Sequence, residues 1–366
     1  MNPTHPILVD AHQDIAWNYF NNGRDYLQSA WRKRRREVID PVFVQRYGRC
    51  MNGLPEAILG RVAVVCGSIF VSPVASKMYP DEKILYGTPQ EAYEQGIRQL
   101  EYYERLATDS GRIRLILTQA DLDAVLATWD EGQEVPDHRL GIVILMEGAD
   151  PILAPEQVEE WHARGLRVVG PAWTATRYSG GTKAVGPLTD LGRALLDAMA
   201  GLRMVLDLSH MAPEAAREAL DRYDGPLFAG HANPLRFRPD RPDRNLSDDI
   251  IRGIAEHDGA VGILPYNLFL VEGWRLGDRR DAARMETVVA AIDHVCQVTG
   301  SARHAGIGSD ADGGFGSESV PVGIETVADL WEIGPALAAR GYQPDDVAAI
   351  LGGNMLRVLR AGLPDA

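Results

Sequence analysis

Cysteine is scarce in this chain: Cys50, Cys66 and Cys296 are the only three in 366 residues. An odd and scattered trio builds neither a disulfide framework nor a thiolate metal site, and it suits a reducing compartment. No apolar run approaches the roughly 20 residues that cross a bilayer. The opening MNPTHPILVD has no basic segment leading into a long apolar stretch, and the tail AGLPDA resembles no lipid-anchor signal. The expectation is a cytoplasmic protein that does not engage a membrane. Positive charge is also short, with 37 Lys and Arg against 51 Asp and Glu and a formal net charge of −14. Such a surface repels phosphate backbones and argues against a nucleic-acid partner. The one basic run, Arg32-Lys33-Arg34-Arg35-Arg36, is followed at once by Glu37 and has no second cluster to support it. It is read as a solvated helix face. Low-complexity segments and short-period repeats are absent as well.

What is present is a series of short apolar runs separated by amphipathic stretches. The strand candidates are Ile7–Val9, Val62–Val71, Arg114–Leu117, Ile142–Met146, Arg167–Val169, Met204–Leu208, Leu227–Ala229, Val261–Leu264 and Ala305–Ile307. Helical patterns lie at Pro89–Asp109, Thr189–Gly201, Pro213–Tyr223, Asp248–His257, Arg284–Thr299 and Ile324–Ala339. Strands alternating with helices imply a parallel sheet, and about eight repeats imply a closed (β/α)8 TIM barrel. With 45% hydrophobic residues, the chain is expected to form a single barrel domain over 1–366. Residues 21–60 fit the alternation worst and are expected to be an insertion after the first strand that covers the mouth of the site. Residues 231–247, rich in Pro and Arg, form a long functional loop.

Several of these strands end on residues that bind metals. In an extended strand alternate side chains share a face, so His12 and Asp14 point the same way and Gln13 the other. H-x-D alone arises often by chance. Here, however, IVILM is followed by Glu147, MVLDLS by His210, PLFAG by His231 and AGIGS by Asp310, and strand ends are where a barrel collects its catalytic groups. Imidazole and carboxylate together suit a borderline cation such as Zn²⁺. The remaining histidines, His5, His138, His162, His257, His294 and His304, fall in helical or polar contexts and are assigned surface roles. A carboxylated lysine bridges two metals in some barrels, but none of the four lysines ends an apolar run. Glu147 is therefore the candidate bridge, one oxygen for each of two divalent ions. Two such ions can hold a hydroxide between them and polarise a carbonyl, while a neighbouring carboxylate such as Asp310 moves the proton.

The segments VDAHQD, MEGAD, DLSHM, GHAN, RNLSDD, GIGSDADG and ILGGNMLRVLR, in that order up to residue 360, resemble the renal (membrane) dipeptidase family of the amidohydrolase superfamily. The resemblance implies a binuclear zinc site and hydrolysis of dipeptides, often with a D-residue at the C-terminal position. It implies His12 and Asp14 on one metal, His210 and His231 on the other, and Glu147 on both. It further implies Asp310 as acid/base, Arg244 on the substrate carboxylate, Tyr266 beside the substrate and a homodimer.

The chain also departs from the family pattern. Trp173, in GLRVVGPAWTATRYSGG, stands where the family carries a histidine that assists the oxyanion. Trp offers one N–H donor and a broad apolar face, so it does not replace an imidazolium. Either another donor serves, with Arg177 and Tyr178 close by in sequence, or the favoured substrate differs and Trp173 contacts it. His231 is followed by Ala-Asn-Pro where small hydroxyl residues are usual, and the 21–60 insertion is longer than expected. Two alternatives to dipeptide hydrolysis follow. One is an amidohydrolase acting on another small amide, N-acyl amino acid or lactone. The other is a non-catalytic barrel that binds metal or peptide.

Overall fold

A computed structural model describes residues 6–365. Eight parallel strands form the barrel wall: β1 (Leu8–Gln13), β2 (Val62–Phe70), β3 (Leu140–Glu147), β4 (Leu166–Gly170), β5 (Val205–Asp207), β6 (Leu227–Phe228), β7 (Val261–Ile263) and β8 (Ala305–Ile307). Pairing runs β6-β5-β4-β3-β2-β1-β8-β7. A parallel bridge between Ala229 and Val261, with Gly262 N–H donating to the Ala229 carbonyl at 2.8 Å, joins β6 to β7 and closes the ring. The (β/α)8 expectation therefore holds. The ninth strand candidate is real but lies off the ring. Ile113–Leu115 pairs with Leu140–Ile142, on the first half of β3, while β4 pairs from Ile144 onward.

The strands are near-continuous Val, Ile and Leu because helices cover their outer faces and side chains fill the interior. β2 and β3 are buried at every position. Outside β2 runs the helix Pro89–Asp109, started by a Thr88–Glu91 capping box and a proline in its first turn. From this helix Tyr103 donates to the Ser68 carbonyl at 2.7 Å. Gln99 both donates to and accepts from the backbone of Phe70, at 2.7 and 3.1 Å. The end of β2 is thus fixed in position by side chains from the helix behind it.

Residues 21–60 contain three short helices, Ala30–Glu37, Pro41–Tyr47 and Leu54–Leu59. Asp312, just past β8, anchors this segment by accepting from Met51 N at 2.7 Å, Asn52 N at 3.2 Å and Cys50 Sγ at 3.1 Å. The basic run divides in two. Arg32, Arg35 and Arg36 are exposed as expected, whereas Lys33 and Arg34 are buried and donate to the carbonyls of Asp25 and Cys50.

Candidate metal centre and substrate cavity

The C-terminal ends of the strands converge on one cluster. His12 lies near the end of β1, and Asp14 follows it as the N-cap of the helix Ile15–Asn22. Glu147 ends β3 and Asp207 ends β5; His210, His231 and Asp310 sit just past β5, β6 and β8. His210 and Asp310 have left-handed backbones, with φ of 64° and 51°, a conformation that non-glycine residues keep only where surrounding structure enforces it. Neighbouring side chains and a close glycine supply that enforcement. Asp10 accepts from Ser309 N and Oγ at 2.7 and 2.5 Å, tying β1 to the loop that carries Asp310. A Cβ on Gly313 would fall 2.1 Å from Asp310 Oδ1 and 2.8 Å from Asp14 Oδ2, so only glycine lets those carboxylates lie so near.

Among the described residues, three donor sets have ligand atoms within 4.8 Å of one another: His12, Asp14 and Glu147; Glu147, His210 and His231; His12, Asp207 and His231. Glu147 is shared by the first two, and its oxygens face different partners. Oε2 lies 3.7 Å from His12 Nε2, while Oε1 lies 3.2 and 3.3 Å from Nε2 of His210 and His231. Neither ring nitrogen of His12 has a hydrogen-bond partner, although both are buried, and Nδ1 of His231 is likewise alone. Buried polar atoms are almost always satisfied. Orphaned imidazole nitrogens facing carboxylates at these distances are what a site for divalent cations presents, so the residues fit the metals that the donor chemistry implies.

Electrostatics agree. Burial pushes the Glu147 carboxyl up to about 8, with Asp14 adding to the shift and His12 opposing it. Burial and the Asp14 charge hold Asp310 well above the usual carboxylate range. Burial pulls His12 down, but Glu147, Asp14 and Asp310 outweigh it and raise the imidazole to about 10. Burial, Arg244 and His12 keep His210 neutral, and burial with His12 does the same for His231. This is crowded negative charge that a bound cation relieves.

Beside the cluster opens a cavity of about 540 Å³, lined in part by Asp14, Glu147, Trp173, Arg244, Tyr266 and Asp310. Arg244 is 4% exposed and donates from Nη2 to the His231 carbonyl at 2.8 Å, while its Nε and Nη1 have no partner. Tyr266 stacks on Phe315 with ring centroids 3.9 Å apart. Trp173 meets Phe70 edge to face at 4.9 Å.

Three expectations are corrected here. No residue of 21–60 lines the cavity; Ala75, Ser76, Met78 and Tyr79 supply that part of the wall, and Tyr47 only backs it through Trp17 and Tyr79. Arg177 and Tyr178 are not free donors. The Arg177 guanidinium binds Asp150 and the carbonyls of Ile152 and Leu153, and the Tyr178 hydroxyl donates to the Ile152 carbonyl. His138 is buried and stacked on Trp129, since an aromatic neighbour at 4.1 Å made the apolar face of the imidazole the better fit. His162, His257, His294 and His304 lie outside the donor sets, and His5 lies outside the described residues.

Two residues of the cluster escape a reading by motif. Asp207 precedes His210 in DLSH and was masked by it, although it ends β5 directly; Oδ1 accepts from Ser209 N and Gly230 N, both at 2.8 Å. Thr182 lies in a polar loop with no distinguishing signal, yet its Oγ1 is 2.9 Å from His210 Nδ1 and 3.4 Å from the Asp243 carbonyl. With the hydroxyl donating to that carbonyl, its oxygen accepts from Nδ1–H and leaves Nε2 of His210 facing Glu147.

Comparison with known proteins is consistent with this geometry. Residues 3–362 match the family described as membrane dipeptidase (peptidase family M19). An uncharacterised dipeptidase of Schizosaccharomyces pombe is 37% identical over 47% of this chain, a match spanning 39% of that protein's length. An uncharacterised protein from the pqqA 5′ region of Klebsiella pneumoniae is 32% identical over 70% of this chain and 91% of its own. Among solved structures, the probable dipeptidase PvdM of Pseudomonas aeruginosa superposes with a TM-score of 0.78 at 19% identity, covering 99% of this chain and 96% of that one. A Rhodobacter sphaeroides metallopeptidase liganded with a phosphinate mimic of the dipeptide L-Ala-D-Ala gives 0.75 at 23%, covering 98% and 100%. The likeness to these two is one of fold.

Proposed function

The chain belongs to the membrane dipeptidase family, peptidase family M19, which makes it a hydrolase of metallo-dipeptidase type, and we propose that it cleaves unblocked dipeptides at the cluster described above. The observation that carries this reading is the placement of Arg244, a buried guanidinium with two unpaired nitrogens, in the same cavity as the metal-binding residues. A planar guanidinium matches a carboxylate, and a dipeptide places its terminal carboxylate one residue from the scissile bond.

In this proposal His12, Asp14, Glu147, His210 and His231 hold two divalent ions, zinc by the mixed imidazole and carboxylate donors. Divalent ions supply Lewis acidity when bound, acidifying water and polarising the scissile carbonyl. Asp310 receives a proton at its carboxylate, delivers it to the departing amine, and holds the substrate's free amino group. Arg244 sets the register of the peptide, and Trp173 and Tyr266 form its walls and exclude water. A D-residue at the C-terminal position belongs to the same proposal, supported by the L-Ala-D-Ala mimic bound to the Rhodobacter protein. So do one domain over 1–366, a homodimer, and a reducing compartment, the last supported by three free thiols.

Metal analysis coupled to a dipeptide library tests the reading. The expected result is about two metal ions per chain, as in paired-metal hydrolases, and cleavage that chelator abolishes and added zinc restores. Metal-loaded protein that cleaves no L-Xaa–L-Xaa or L-Xaa–D-Xaa substrate would end the dipeptidase proposal.

A further inference from the structure

Phe70 ends β2 directly beside Glu147, its register partner at the end of β3. Its backbone is held on both sides by Gln99, and its ring leans on Trp17 at 6.3 Å, which leans on Tyr47 at 6.2 Å. These side chains, with Val71 and Ile84, form an apolar cluster separate from the main core. Trp173 extends it to the metal-binding residues, its ring centroid 6.4 Å from that of His210. The cavity therefore has a preorganised aromatic wall that starts beside the metal-binding residues. Tyr266 and Phe269 also line the cavity, as do Met78 and Leu276, which leave 42% and 49% of their surface in water. Large apolar side chains left exposed around a concave site mark a surface that an apolar ligand covers.

Charge narrows the choice. The acidic lining residues Asp14, Glu147 and Asp310 all belong to the cluster, so no free carboxylate faces the wall to receive a cationic side chain. Of the lining cations, Arg241 is paired with Asp243 at 3.3 Å, Arg244 is assigned to the substrate carboxylate, and Lys183 is exposed to solvent.

We propose that this cavity selects dipeptides bearing an aromatic or large aliphatic side chain, seated against the edge-to-face pair Phe70 and Trp173. The proposal rests on the dipeptidase reading and deepens it. A third ring entering at the Phe70–Trp173 edge continues an arrangement already built from edge-to-face contacts, which are favoured over parallel sandwiches. Trp173, where the family resemblance places a histidine, then acts in substrate choice rather than in oxyanion binding.

The test compares kcat/KM for Ala-Ala, Phe-Ala, Ala-Phe, Lys-Ala and Ala-Lys on the zinc-loaded full chain. Either Phe-Ala or Ala-Phe should exceed Ala-Ala by about tenfold or more, the scale on which apolar pockets discriminate, and both lysine dipeptides should fall below it. Phe70→Ala and Trp173→Ala should collapse the Phe-to-Ala ratio, and Trp173→Phe should restore most of it. Calorimetry with dipeptide phosphinates bearing a benzyl or a methyl side chain reads the same preference as binding, without turnover. Metal content and melting temperature of each variant show whether it has folded, and Phe70→Leu replaces Phe70→Ala if that variant has not. If dipeptides are cleaved but Ala-Ala is the best, or the ratio survives both wall variants, the selectivity is wrong and the dipeptidase reading stands. If no dipeptide is cleaved, both fall together.

Discussion

Arg244 is a guanidinium kept out of water with only one nitrogen bonded. Leaving charged donors unmatched is unfavourable, and burial depresses its pKa against the pull of Asp310 and Glu147. A substrate carboxylate would satisfy both orphaned nitrogens. Arg244→Ala should therefore lose about 1.5–3 kcal/mol of binding, a rise in KM of roughly 10- to 150-fold, by the usual worth of hydrogen bonds to charged groups. Steady-state kinetics check this, and Arg244→Lys should recover only part of the loss because an ammonium cannot make the paired contact. Dipeptide amides, which lack the carboxylate, should be poor substrates for the parent and no worse for the variant; an equal drop on amides would mean that Arg244 acts on structure alone. At this scale the sequence is legible where chemistry and position coincide. His12, Glu147, His231 and Asp310 each lie within three residues of the end of an apolar run, and all reach the cluster. Thr182 does not, because its role depends on a loop path that no local pattern encodes.

At the level of elements, periodicity located every barrel strand, since runs such as VAVVCGSIF and GIVILM are buried along their whole length. It could not tell Ile113–Leu115 from a ring strand, because an apolar run records burial and not partners. Nor does it show how closely strands approach. Gly230 and Gly308, just past β6 and β8, and Gly262, within β7, bring three backbones together beside His231. A Cβ on Gly262 would stand 1.9 Å from the Gly230 carbonyl oxygen, and one on Gly308 would stand 1.8 Å from it. Backbone, unlike the far end of a flexible side chain, cannot swing away. Gly262→Ala should destabilise the protein by about 3 kcal/mol or more, at or beyond the upper end for overpacking. It should also weaken metal binding, since His231 sits on the displaced carbonyl's own segment. Thermal melting and zinc titration measure the two effects; a melting point unchanged from the parent would show that the strands have room to part.

The whole molecule is held to its barrel partly by phenols. Tyr26, in the 21–60 segment, donates to Gln13 Oε1 on β1 at 3.2 Å; Tyr103 donates from its helix to the Ser68 carbonyl on β2; Tyr223 donates to the Met204 carbonyl beside β5. All three are at most 2% exposed. Burial, with Asp10 and Glu56 nearby for Tyr26 and Asp14 for Tyr103, raises their pKa values well above the ordinary 10.0. Below that value folded and unfolded chains both keep these protons, so the stabilisation is complete. Above it the unfolded chain releases protons that the folded chain retains, and stability falls as pH rises toward the folded values. The slope is at most about 1.4 kcal/mol per pH unit for each such phenol. The urea midpoint should accordingly stay level up to about pH 9 and then drop steeply toward about pH 12, the direction set by proton linkage. Phenolate absorbance should show part of the 12 tyrosines titrating only as the fold is lost. Tyr26→Phe should flatten the alkaline limb while lowering stability near neutrality by about 1 kcal/mol, the net worth of one hydrogen bond. An alkaline limb of unchanged slope would mean that the outer segment is held to β1 by packing and not by that hydroxyl.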